Sequence, residues 1–160
     1  MAVLKIVNGK GQYKDQNSTK DVLDYIHDPR KSKLGLYGYF KVDPQDPTKS
    51  MRDVAIYFGK EKGVQIRHYV ISFPHYEVTE PILVAQFADY VAEYLSADYQ
   101  TVYAVHEDST YVHIHFVCNA VCYRTGERYS GDKKELYSFE SFLRKLLRKF
   151  GVYYLRIIYH

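Results

Sequence analysis

Between Tyr111 and Val121 the chain reads YVHIHFVCNAV, and the alternation in this stretch restricts what the rest can be. Successive side chains of an extended strand point to opposite faces. Ile114, Phe116, Cys118 and Ala120 then share one face, and His113, His115, Val117, Asn119 and Val121 share the other. The first set is apolar and belongs on a core, so the segment calls for a sheet packed on one side. On the other side stand two imidazoles roughly 7 Å apart. Upstream, TVYAVHE (101–107) is a second strand, joined to the first by a turn at Asp108 to Tyr111. A hairpin register that pairs His106 with His113 puts all three imidazoles on the same face.

Other segments supply the layers. Asn17 or Ser18 caps a short helix through TKDVLDYIHD, with Val22, Leu23 and Ile26 as its apolar stripe and Pro29 at its end. Leu36 to Val42 is a short candidate strand. Met51, Val54, Ala55 and Phe58 recur at helical spacing between Thr48 and Gly59, and Gly59 offers a stop. Val64 to Phe73 is β-branched and aromatic, as a strand should be. Thr79 caps a longer helix through PILVAQFADYVAEYL, with Leu83, Phe87, Val91 and Leu95 in one stripe. SFESFLRKLLRKF places Phe139, Phe142, Leu143, Leu146, Leu147 and Phe150 on one helix face and Arg144, Lys145, Arg148 and Lys149 on the other. The pattern predicts an α+β fold: a central antiparallel β-sheet, helices packed mainly on one face, the other face left open, all within one domain spanning residues 1–160.

Charge permits a nucleic-acid partner without demanding one, since 22 Lys+Arg against 19 Asp+Glu leaves a net charge of only +3. The basic residues are nonetheless clustered. Arg30, Lys31 and Lys33 follow the first helix, Arg124 and Arg128 follow the histidine strand, and Lys133 with Lys134 precede the last helix. Tyr37, Tyr39, Tyr123 and Tyr129 interleave with them as stacking platforms for unpaired bases. No run approaches the ~18 apolar residues of a membrane span, and the N-terminus lacks an apolar signal core, so no membrane insertion is expected. Cys118 and Cys122 lie too close along one strand to pair with each other and read as reduced, which points to a cytoplasmic protein.

Three neutral imidazoles with open coordination positions suit a divalent metal ion, and the vacancies leave room for substrate oxygens. Glu107 and Asp108 are placed to accept a ring N–H from a ligand histidine and fix its tautomer. Strand alternation sets Cys118 and Cys122 on the opposite face, which argues against a mixed Cys/His site. His68 alternates with Arg67 and is a further candidate for the histidine face.

HEDSTYVHIHFVCN, residues 106–119, resembles the HxD…HxHxxxN motif of relaxases, the HUH-type nicking enzymes of the mobilisation nuclease family found in conjugative and mobilisable elements. The likeness extends over most of Lys20 to Gly151. HYVISF followed by EVT, NAVCYRTGERY, and DVLDYIHDPRKS, which looks like the helix carrying the nucleophilic tyrosine, are laid out as in that family. Tyr111 departs from it, standing where many relatives carry another histidine. The resemblance implies an HUH endonuclease fold and a metal-dependent, strand-specific endonuclease that nicks single-stranded DNA at an origin of transfer. Carried over residue by residue, Tyr25 is the nucleophile, giving a 5′-phosphotyrosine and a free 3′-OH, and Asp108 is the acid of the motif. His106, His113 and His115 are the metal ligands, for manganese or magnesium first and zinc, nickel or cobalt as alternatives. Asn119 matches the terminal Asn, and Asp108 and His27 are the candidate bases. Accessory proteins and a secretion-system coupling protein are the implied partners, in a bacterial cytoplasm. A rolling-circle initiator, a single-strand transposase of the same type, and a non-catalytic metal-stabilised DNA-binding module are the competing readings.

Overall fold

The computed structural model describes residues 1–7, 13–74, 80–107 and 110–159. Within them the chain runs β1 (Ala2–Ile6), α1 (Ser18–Ile26), β2 (Tyr37–Phe40), α2 (Pro47–Tyr57), β3 (Ile66–Pro74), α3 (Pro81–Leu95), β4 (Thr101–His106), β5 (Tyr111–Asn119), α4 (Lys133–Lys149) and β6 (Leu155–Tyr159). The strands form one sheet of six in the order β2-β4-β5-β3-β1-β6. Neighbours are antiparallel except β1 and β6, which are parallel, so the sheet is mixed. Thr79, the expected helix cap, Asp108, and His75 and His160 lie outside the described residues.

The expected core face exists. Ile114, Phe116 and Cys118 of β5 pack with Tyr103 and Val105 of β4 and Tyr69, Ile71 and Phe73 of β3, beneath α3 and α4. Leu83 is the exception in the predicted α3 stripe, being exposed; Val84, Phe87, Ala88, Val91, Ala92 and Leu95 form the buried face instead. Successive helix positions are ~100° apart, so Leu83 falls beside that stripe rather than on it. Helix α4 begins five residues before the predicted start. Asp132 caps it, accepting the Glu135 N–H at 2.8 Å. At its other end Gly151, at φ 79°, closes a Schellman turn in which the Gly151 N–H reaches Arg148 O and the Val152 N–H reaches Leu147 O. The turn reverses the chain into β6, so the strand escapes a reading that ends at the helix.

The second face is not open, contrary to expectation. Leu23 and Ile26 of α1 and Met51 of α2 pack on Ile66, Val102, Ala104 and Val117. Every residue of β4 is buried, because its side chains meet a layer on each side. Helices α1 and α2 cover the end of that face where β4 begins and β5 finishes. The histidines occupy the part beyond them. Beside β4, Gly38 pairs with Tyr103, whose ring fills the space that a Cβ would take. The Tyr103 hydroxyl donates to Asp89 Oδ1 at 2.7 Å, holding the ring there against α3.

Candidate active site

Strands β4 and β5 pair His106 with His113 and Ala104 with His115, the register expected from the hairpin. Strands β3 and β5 pair Ser72 with His113 and His68 with Val117. His106, His113, His115 and His68 therefore share one face. The His106 and His115 ring centres are 4.2 Å apart, His68 and His115 5.1 Å, and His113 and His115 6.5 Å. His106 and His115 are buried, at 2% and 7% exposure, as is His68 at 5%.

Their hydrogen bonds constrain where the protons sit. His106 Nε2 lies 2.9 Å from the Ile26 carbonyl, which can only accept, so Nε2 carries the hydrogen. His68 Nε2 and His115 Nδ1 are 2.8 Å apart, and His68 Nδ1 is 3.1 Å from the Tyr13 hydroxyl. A chain thus runs Tyr13, His68, His115. The His68–His115 contact needs a lone pair on one of the two facing nitrogens, and the surroundings favour the neutral form of both rings. Burial, then the neighbouring His68 and His106, pushes His115 down to about 2. Burial, then His106 and Lys5, pushes His68 down to about 4.

Helix α1 sets Tyr25 above this group. Its last turn is anchored twice, by the buried Ile26 side chain and by the Ile26 carbonyl on His106. Tyr25, one residue earlier, stays 46% exposed and stands edge-on to His106 at 5.9 Å and to His115 at 5.7 Å. Lys31 Nζ lies 5.7 Å from the centre of the Tyr25 ring. The structure thus brings Tyr25, Lys31 and the histidines together from distant parts of the chain. Tyr13 joins them without any local signal among 18 tyrosines, and only the fold reveals it.

Other candidates are placed differently. Glu107 does not orient a histidine. Its Oε2 accepts the Lys33 N–H at 2.9 Å and its N–H reaches Lys31 O at 3.0 Å, so it ties the basic loop after α1 to the end of β4. The acceptor at His106 is the Ile26 carbonyl instead. Asn119 is 1% exposed and cannot meet DNA. It donates to Met51 O and Gln100 Oε1 and accepts the Val121 N–H, locking α2 onto the sheet roughly 13 Å along the strand from His115. His27 is held apart from Tyr25, with Nδ1 donating to Leu23 O at 2.6 Å and Nε2 accepting from the Tyr39 hydroxyl at 2.7 Å.

Arg30 is exposed at the histidine end and pairs with Asp28. Arg124 and Arg128 lie at the opposite end of the sheet, away from the histidines. Arg124 pairs with Asp98, and Arg128 donates to the carbonyls of Lys60, Lys62 and Val64. Tyr123 donates to Ser96 O, and Tyr129 packs on a buried arginine, so neither is a stacking platform beside the site. Cys118 and Cys122 are free, buried thiols, and Cys118 lies in the core on the far face.

The imidazoles fit a divalent metal by donor chemistry, since His115 is held neutral and each of the three has one ring nitrogen engaged, as ligating histidines do. As the rings stand, no three His, Cys, Asp or Glu among the described residues are arranged to hold an ion. Among those residues, too, no helix is long and apolar enough to cross a membrane.

This fold, with helices on both faces of a mixed sheet and a histidine cluster beyond α1, is that of a relaxase domain. It is similar to the solved MobM relaxase domain (MOBV; Mob_Pre), a structure bound to 26-nucleotide pMV158 oriT DNA, with a TM-score of 0.62 over 97% of this chain and 89% of that one at 15% identity. The chain belongs to the relaxase family, MobA/VirD2-like, nuclease domain, whose model matches residues 25–152. It is also 27% identical over 135 residues to Protein rlx of Staphylococcus aureus, covering 84% of this chain and 38% of that protein's length.

Proposed function

We propose that this chain nicks single-stranded DNA at an origin of transfer by transesterification to Tyr25. One observation carries the reading: an exposed tyrosine stands 5.9 and 5.7 Å from two buried histidines on a strand pair whose face also holds His113.

In the proposed reaction the Tyr25 oxygen attacks phosphorus and the P–O3′ bond breaks. The products are a 5′-phosphotyrosine and a 3′-hydroxyl, and the ester keeps the energy of the broken bond for later resealing. The phenolic proton must leave as the bond forms, and the departing 3′-oxygen must take up a proton to become the hydroxyl. His27 is tied to Leu23 and Tyr39, which favours Asp108, two residues past His106, as the acceptor. His106, His113 and His115 would hold a divalent ion, manganese or magnesium by preference, which when bound would supply positive charge at the phosphate. Lys31 adds a cation beside the Tyr25 ring, and Arg30 and Lys33 extend that positive surface along the strand's path. Glu107 keeps their loop in place through the Lys33 N–H.

The test is covalent capture. The protein is mixed with single-stranded oligonucleotides carrying candidate transfer origins, with Mn²⁺ or Mg²⁺ and again with EDTA, and adducts are mapped by mass spectrometry. A metal-dependent adduct on Tyr25, absent in Tyr25→Phe and retained in Tyr13→Phe, is the expected result. An adduct on Tyr13, or one that persists in Tyr25→Phe, moves the nucleophile. Tight binding with no adduct on any sequence points to a DNA-binding module.

A further inference from the structure

The side of the sheet away from the histidines holds a second unusual residue. Arg67 alternates with His68 along β3 and so points to the opposite face, where it is only 4% exposed. Among the described residues it has no carboxylate partner. Its cation lies instead among tyrosines, the guanidinium carbon 3.6 Å from the centre of the Tyr129 ring, 4.4 Å from Tyr99 and 5.6 Å from Tyr69. Nη1 donates to the Tyr69 hydroxyl at 2.5 Å. Nε and Nη2 are buried with no hydrogen-bond partner.

Those two nitrogens form one edge of the guanidinium. Their N–H groups run parallel, the spacing that matches two oxygens of a carboxylate or a phosphate. Arg67 lines a recess of about 590 Å³ together with Tyr94, Tyr99, Tyr129 and Glu135. That volume is within the range of small-molecule sites. Leaving charged N–H donors buried and unpaired is costly, and an oxyanion seated on them would remove the cost.

We propose that this recess binds a small molecule through a carboxylate or phosphate-monoester group placed on the Nε–Nη2 edge of Arg67. The rim favours a small ligand over a nucleic-acid strand. Asp98, Asp132 and Glu135 line it with a single lysine, Lys134, and that balance repels a polyanion. The site is independent of Tyr25 and the histidines, which lie across the sheet.

The experiment uses the whole chain labelled with ¹⁵N and follows the Arg67 Nε–H resonance while inorganic phosphate, succinate or thymidine 5′-monophosphate is added. Melting temperature is recorded in parallel. A saturable shift of that resonance by at least one anion is expected, with a rise in melting temperature. Response to succinate alone identifies a carboxylate ligand, to phosphate and the nucleotide equally a phosphate group, and to the nucleotide alone a nucleotide monophosphate. Arg67→Lys keeps the charge without the parallel donors and should weaken binding at least about tenfold. An Arg67 resonance that no anion moves overturns the proposal and leaves Arg67 as a structural cation stapled by tyrosines. So does a ligand-induced rise in melting temperature that survives in Arg67→Lys, because the anion is then bound elsewhere. The resonance is read on the unaltered chain, so the test stands even if the variant fails to fold.

Discussion

Acidifying the metal-free protein should destabilise it well before its carboxylates titrate. In the unfolded chain a histidine takes a proton near pH 6.5. In the fold, burial holds His68 at about 4 and His115 at about 2. Below pH 6.5 the unfolded state therefore binds protons that the native state refuses, and stability falls as pH falls. The loss continues to about 4 for His68 and further for His115. Each imidazole contributes a slope of about 1.4 kcal/mol per pH unit within its window. Between pH 7 and pH 5 that amounts to roughly 2 kcal/mol apiece, and to roughly 4 kcal/mol together as a ceiling, because the two share one hydrogen bond. Urea unfolding at the two pH values measures it directly. His68→Gln should remove about half of the pH dependence while leaving a donor that can reach His115. A free energy of unfolding that changes by less than about 0.5 kcal/mol would refute the reasoning. The imidazoles would then be protonated in the fold, and the neutrality that suits them to a metal would be lost with it.

Other side chains give sharper contrasts between stability and activity. Asn119→Ala strips partners from Gln100 Oε1 and the Val121 N–H, and should cost about 1–3 kcal/mol in urea unfolding with oligonucleotide affinity unchanged. Lost affinity at unchanged stability would restore Asn119 to the DNA surface. Cys118→Ala should lower stability by on the order of 1–2 kcal/mol and spare cleavage, since the thiol is core on the face away from the histidines. Reduced cleavage by a fully stable variant would contradict that placement. Gly38→Ala drives a methyl group into the Tyr103 ring and should cost about 1–3 kcal/mol, visible as a lowered melting temperature. A neutral result would mean that β2 can move off β4.

Much of this fold was legible because its signals are local. Alternation in YVHIHFVCN follows from backbone geometry alone, so it separated His113 and His115 from Ile114, Phe116 and Cys118 without any tertiary information. Amphipathic spacing marked α4, and Gly59 marked the end of α2, for the same reason. The short strands β1 and β6 went unread. Each has five residues, and their parallel pairing joins Ala2 to Leu155, a contact with no trace in either segment. The covered second face was also missed, because Val102, Ala104 and Val117 mark a buried surface only once α1 and α2 are seen to lie on it.

The candidate site divides along the same line. By itself the sequence determined which residues are chemically fit for the work: three histidines with the strand spacing to share a face, a tyrosine at the end of a short helix, and a basic loop behind it. Only the tertiary structure decided which of them meet. The Ile26 carbonyl on His106 brings α1 across 80 positions of chain and sets Tyr25 over the imidazoles, while β3 delivers His68 to His115. The same packing withdraws Asn119 into the interior and carries Arg124 and Arg128 to the far end of the sheet. Local geometry fixes the direction of a side chain, but its neighbours are set by long-range packing, whose free energy is spread over the whole core and written in no single motif.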